Sequence, residues 1–141
     1  MENVETGYSL QREYERESRK LNAPILRLEL KRELEDLRND EAFISEGHSG
    51  KTIAKYSDLR VVLVAFKKGM RMGEHHTPER LSIQTLTGHV RVHLPDQKID
   101  LPAGTLISLE RDFPHDVEAL EESSILLTLS WRGRPPGQDP I

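Results

Sequence analysis

Three histidines are the residues of this 141-residue chain best suited to bind a metal ion or a small ligand: His75, His76 and His115. The chain contains no cysteine, which excludes disulfides, thiol nucleophiles and thiolate metal sites. A site for one divalent ion such as Zn, Mn, Fe or Ni would therefore use three or four nitrogen and oxygen ligands that converge on the ion. Glu74 and Gln84 are reserve oxygen donors close to the histidines in sequence.

His75 and His76 are adjacent, and neighbouring residues of a strand point to opposite faces. Both reach one site with His115 only if the loop at Gly73 turns them inward together. The alternative is that one of them faces solvent while the other lines a polar pocket with His115 and without metal. We predict that His115 and at least one of His75 and His76 point into a shared cavity.

Three glycines set the spacing of these histidines. Five residues separate Gly69 from His75, Gly88 ends the strand that follows, and Gly104 stands eleven residues before His115. This pattern resembles the two sequence motifs of the cupin superfamily, which are small β-barrels of the double-stranded β-helix, or jelly-roll, type. The resemblance spans about half of the chain.

The resemblance implies a metal site that this chain keeps only in part. In the superfamily, two histidines and a glutamate of the first motif join a histidine of the second motif to hold one divalent ion inside the barrel. Here the glutamate position falls on Leu81. The two histidine positions of the first motif fall either on His75 and Thr77 or on Glu74 and His76, so each register keeps one histidine.

The elements that must position these residues are short strands. From about residue 50 onward, alternating apolar and polar runs are separated by turn residues at intervals of about ten, a pattern typical of an all-β sandwich or barrel. We predict strands at 51–56, 60–67, 80–87, 89–94, 97–101, 105–109, 115–120 and 124–131. Eight strands indicate a closed barrel over 50–131, and the resemblance implies that this barrel is cupin-like. On the third strand, Leu81, Ile83 and Thr85 are expected to face inward, with Ser82, Gln84 and Leu86 on the other face.

The two ends of the chain have other patterns. Residues 1–49 are interpreted as an N-terminal arm, in which a short strand from about residue 25 runs into a helix from about Leu30 to Asn39. Leucines recur there at helical spacing, whereas the residues just before them alternate as in a strand. Residues 132–141 are rich in proline and glycine and are predicted to form a flexible tail.

Charge and hydropathy exclude several classes of partner. The net charge of −4 argues against nucleic acid, which needs a concentrated basic face. The longest purely apolar run, residues 61–66, is far shorter than the roughly 20 residues that cross a bilayer, and the acidic start lacks the features of a secretory signal. We therefore expect a cytoplasmic protein without membrane or nucleic-acid partners. The resemblance and the open barrel edges imply a homodimer.

Function stays open among several classes at this point. The prediction we adopt is a small cupin-domain protein with a His-lined barrel pocket, whose candidate occupants are a divalent metal ion and a small organic ligand. One alternative is a metal-free module that binds or senses a small ligand, and another is a metal-dependent dioxygenase, isomerase or decarboxylase. The loss of the glutamate at Leu81 weighs against the enzyme, and the retained His115 weighs against a barrel with a purely structural role.

Overall fold

The computed structural model of the chain describes residues 20–130. Two helices, α1 (Leu30–Arg38) and α2 (Glu41–Glu46), precede the strands. The strands are β1 (His48–Lys55), β2 (Leu59–Phe66), β3 (Arg80–Thr87), β4 (His89–Leu94), β5 (Gln97–Pro102), β6 (Leu106–Leu109), β7 (Asp116–Ala119) and β8 (Ser123–Ser130). Each of the eight predicted strands is present, and β1 begins earlier than predicted.

The strands form two antiparallel sheets that face each other. One sheet has the order β1-β2-β8-β3-β6 and the other the order β5-β4-β7. Alternate residues of each strand turn toward the space between the sheets and form the larger apolar core. Its fully buried members include Ile83, Val90, Val92, Leu101, Val117 and Ile125. This arrangement confirms the prediction of an all-β jelly-roll barrel with helices on its N-terminal side.

Strand β3 has the predicted orientation. Leu81, Ile83 and Thr85 are buried, whereas Ser82, Gln84 and Leu86 are partly exposed. Leu81 and Ile83 belong to the core between the sheets. The side chain of Gln84 therefore lies on the face of β3 that points away from the barrel interior, and it is not a donor to a site inside.

The two helices pack outside the barrel, on the other face of β1 and β2. Helix α1 forms because Leu30, Leu34 and Leu37 lie three and four residues apart, which places them on one face. These leucines and residues of α2 pack on β1 and β2 and form a second apolar core. Its buried members are Leu34, Leu37, Phe43, Ile53, Leu63 and Ala65. A buried ion pair crosses the same interface, with Lys51 Nζ 2.5 Å from Glu33 Oε1.

The prediction of a short strand ahead of α1 is wrong. Residues 25–29 have no regular secondary structure, and within residues 20–130 no strand pairs with them. The alternation marks a half-buried face, since Leu28 and Leu30 pack against the second apolar core, whereas Ile25, on the other face, is 84% exposed. The helix itself is confirmed, and it ends at Arg38.

The predicted flexible tail, residues 132–141, and the first residues of the predicted N-terminal arm lie outside the described part of the chain. Between residues 20 and 130 no helix is both long enough and apolar enough to cross a membrane.

Candidate functional site

An irregular segment, residues 69–75, carries His75 to the barrel by running alongside β7. The amide of Met72 donates to the carbonyl of Val117 (3.0 Å), and the amide of Ala119 donates to the carbonyl of Met70 (2.9 Å). Gly73 interrupts this pairing with φ +91°, a left-handed conformation that favours glycine. Beyond this kink the segment rejoins β7 at its beginning.

His75 and His115 are paired directly. Each donates its backbone N–H to the carbonyl of the other, at 3.0 and 2.9 Å, and paired residues of an antiparallel ladder have their side chains on the same side. The two imidazole rings meet edge to face, with their centroids 4.3 Å apart. By strand alternation His115 shares the inward face of Val117 and Ala119, and it is only 3% exposed.

Backbone carbonyls fix the proton position on both rings. His75 Nδ1 lies 2.8 Å from the carbonyl oxygen of Gly73, and His115 Nδ1 lies 2.9 Å from that of Phe113. A carbonyl oxygen can only accept, so each Nδ1 must carry the proton and each neutral ring keeps a lone pair on Nε2. Within residues 20–130 neither Nε2 atom has a hydrogen-bond partner. The pair therefore offers two adjacent nitrogen acceptors.

The neutral state of His115 is favoured by its surroundings. Burial lowers the pKa of His115 below its ordinary value of 6.5, and the positive charges that His75 and His76 carry when protonated lower it further. The hydrogen bond to the Phe113 carbonyl and the carboxylate of Asp116 act in the opposite direction. A neutral imidazole is the form that accepts a hydrogen bond or ligates a metal.

Acidification is expected to destabilise the fold through His115. The unfolded chain takes up this proton near the ordinary pKa of 6.5, whereas the folded chain takes it up only at lower pH. Below 6.5 the unfolded state binds more protons, so the free energy of unfolding falls as the pH drops toward the folded-state pKa. Urea unfolding of wild type and His115→Asn at about pH 7.5 and about pH 5.5 measures this difference. The variant should lose less stability than wild type, and equal losses would contradict the assignment.

His76 does not join the other two histidines. Its side chain is exposed, and its Nδ1 lies 3.6 Å from Asp112 Oδ1 at the surface. Of the two registers that the sequence leaves open, the structure therefore favours the one in which His75 and Thr77 occupy the histidine positions of the first motif. The reserve donor Glu74 is exposed as well.

Asp116 is a site residue that the sequence did not reveal. Its Oδ2 accepts from Nε and Nη2 of Arg71 at 2.8 and 2.5 Å, and its Oδ1 accepts from the backbone N–H of Gly73 at 2.8 Å. The carboxylate thus ties the kink at Gly73 to β7 and holds His75 opposite His115. Its position directly after His115 was the only signal in the sequence.

The residues present do not fit a complete metal site of the superfamily type. Among residues 20–130 no group of three or more histidine, aspartate or glutamate side chains is arranged to hold an ion. Leu81, at the glutamate position, is 4% exposed and packs in the apolar core. Two imidazole nitrogens are fewer than the three protein ligands typical of a catalytic ion.

The remaining histidines of the described chain have other roles. His93 Nε2 lies 2.7 Å from Glu118 Oε1 on the outer face of the three-stranded sheet. His89 lies on the same face, with its Nε2 3.8 Å from Asp100 Oδ2. His48 is exposed. None of these three approaches the pair of His75 and His115 in the hydrogen-bond and ion-pair contacts of residues 20–130.

Comparison with known proteins gives likenesses of structure only. Neither a scan against protein-family models nor a search of curated proteins gave a match. Among solved structures, a cupin superfamily protein from Desulfitobacterium hafniense is similar with a TM-score of 0.58 and 18% identity, over 60% of this chain and 78% of that one. KdgF from Halomonas sp. is similar with a TM-score of 0.56 and 25% identity, over 63% of this chain and 85% of that one.

A larger protein contains a similar barrel. The salicylate 1,2-dioxygenase from Pseudoaminobacter salicylatoxidans, solved as a variant in complex with gentisate, is similar with a TM-score of 0.69 and 13% identity. The likeness covers 79% of this chain but only 35% of the dioxygenase. At these identities the comparisons establish the fold and leave the activity of the described barrel to its own residues.

Proposed function

This chain has the cupin fold, and from that premise we propose that it binds a small organic molecule at the end of the barrel that holds His75 and His115. The Nε2 atoms of the two imidazoles contact this molecule directly. Because they are hydrogen-bond acceptors, they select a ligand with hydroxyl, amino or ammonium groups. We infer that the ligand binds without a resident metal ion, since within residues 20–130 the site offers two imidazole nitrogens and no carboxylate arranged with them to hold an ion.

One observation carries the proposal. Both Nδ1–H groups are bound to carbonyls of their own segments, while both Nε2 atoms have no partner within residues 20–130. Neither nitrogen is among the buried side-chain atoms without a partner within residues 20–130, so both are open to a ligand. A ligand that donates to both nitrogens would pair the two acceptors at once.

The second candidate is a site for a divalent ion such as Zn, Mn, Fe or Ni with a small organic ligand, as in a dioxygenase, isomerase or decarboxylase. The two free Nε2 lone pairs favour it, since histidine ligates metals through such a nitrogen while the other ring nitrogen is hydrogen-bonded. The apolar side chain of Leu81 opposes it. The homodimer and the cytoplasmic location stay predictions from the sequence.

Removal of His115 is expected to weaken ligand binding, which ligand-observed NMR with a panel of small diols, amino alcohols and hydroxy acids measures. Compounds that bind chelator-treated wild type should bind His115→Ala about ten-fold or more weakly, because the variant lacks one of the two Nε2 acceptors. His76→Ala is the matched control, since its imidazole lies at the surface. It should bind like wild type.

Two outcomes would overturn the proposal. One is that no compound of the panel binds chelator-treated wild type. The other is that binding survives in His115→Ala and His75→Ala alike. If binding appears only after a stoichiometric divalent ion is added, the metal-dependent candidate replaces the metal-free one.

A further inference from the structure

The second residue of strand β2 is an arginine whose place in the sheet is unusual. Arg60 pairs with Leu129 of β8, which pairs with Leu81 of β3, which pairs with Leu109 of β6. Residues paired across an antiparallel ladder have their side chains on one face. The three leucines belong to the core between the sheets or pack against it. Arg60 therefore belongs to an inward-facing row, in which it lies between these leucines and the exposed Lys55 of β1.

This row lies at the end of the barrel that carries the histidine pair. Arg60 is the second residue of β2, and Leu81 is the second residue of β3. The loop that leads into β3 contacts the loop that leads from β6 to His115, since the amide of Asp112 donates to the carbonyl of Thr77 (2.7 Å). Arg60 and His115 thus belong to the same end of the barrel.

Within residues 20–130 the guanidinium of Arg60 has no carboxylate partner. Its Nε is buried and has no hydrogen-bond partner, and no ion pair with it occurs among the described residues. Other arginines of the same molecule are paired: Arg71 with Asp116, Arg91 with Asp100 and Arg38 with Glu122. The residue as a whole is partly exposed, and the planar fork of donors of an arginine matches a carboxylate.

We propose that Arg60 binds a carboxylate group of the ligand, so that the barrel takes a small hydroxy or amino carboxylic acid. The proposal rests on the proposed function and specifies its ligand class. The hydroxyl or amino group of such an acid donates to Nε2 of His75 and His115, while its carboxylate accepts from Arg60. The two kinds of group in the ligand match the acceptors and the donor at this end of the barrel.

The test compares small hydroxy and amino acids with their amides, which lack the carboxylate, for example lactate with lactamide and serine with serinamide. Their affinities for chelator-treated wild type, Arg60→Gln and Arg80→Gln are measured by ligand-observed NMR or calorimetry. Arg80 is the matched control. It is exposed at the start of β3, at the same end of the barrel, and its replacement changes the net charge equally.

Wild type should bind the acid more tightly than the amide, and Arg60→Gln should lose about ten- to a hundred-fold in affinity for the acid, with little change for the amide. Arg80→Gln should behave like wild type. The inference is overturned if Arg60→Gln keeps its affinity for the acid, if acid and amide lose equally, or if Arg80→Gln loses as much. If one of these three results is obtained but the amide still loses its affinity in His115→Ala, the proposed function stands and only the carboxylate role of Arg60 is overturned. If neither acid nor amide binds wild type, both proposals fall.

Discussion

Replacement of Gly88 by alanine is expected to destabilise the protein by about 3 kcal/mol or more, a large part of the total stability of a typical domain. Gly88 forms the turn between β3 and β4 with φ +82°, a conformation that costs an alanine energy by itself. A Cβ at this position would also lie 2.3 Å from the carbonyl oxygen of Glu122 and 2.7 Å from Cα of Ser123. Both atoms belong to the backbone at the entry into β8, whose first residue Ser123 pairs with Phe66 of β2 and cannot move without breaking that pairing.

Gly104→Ala is the matched control for this effect. Gly104 has φ +89°, but no atom lies within 4 Å of the position that an alanine Cβ would take, so its replacement should cost only the backbone term, about 1 kcal/mol. Urea unfolding of wild type and both variants measures the two losses. Equal losses would show that the turn at Gly88 is not held by the packing against Glu122 and Ser123.

The strands and their faces were predictable because their signals are local. Polar turn residues separate short apolar runs, and period-two alternation assigns Leu81 and Ile83 to the inside without any knowledge of the partners. The helix was predictable from leucine spacing, whereas the strand predicted before it does not form. Residues 25–29 alternate like a strand, but a strand also needs a neighbour to pair with, and a single segment carries no information about that.

The candidate site was predictable only in part. The spacing selected His115 and the segment of His75 and His76, but which of the two turns inward depends on the kink at Gly73. That kink is held by Asp116, whose role depends on a contact between segments that are far apart in sequence. Arg60 shows the same limit. Its place on the inward face follows from alternation along β2, but the absence of a carboxylate partner becomes visible only in three dimensions.

The lost metal ligands should be recoverable by two substitutions. Thr77→His with Leu81→Glu restores the ligand types that the superfamily has at these positions, and both follow the register that His75 keeps. Four ligands in place of two should tighten binding of Zn²⁺ or Mn²⁺ by about a hundred-fold or more over the weak binding expected of wild type. Binding should weaken on mild acidification, because histidine must lose its proton to ligate.

The metal-free double variant is expected to be less stable than wild type, because Leu81 is buried in the apolar core and a carboxylate there is poorly solvated. A bound ion neutralises that charge, so the midpoint of thermal unfolding should rise with ion concentration in this variant and much less in wild type. Calorimetric titration and thermal unfolding of chelator-treated proteins measure both effects. Thr77→His with Leu81→Gln is the control, since glutamine has nearly the shape of glutamate without its charge. If the double variant binds no more tightly than this control, the inward face of β3 at Leu81 does not reach the histidine pair, and the barrel end serves an organic ligand alone.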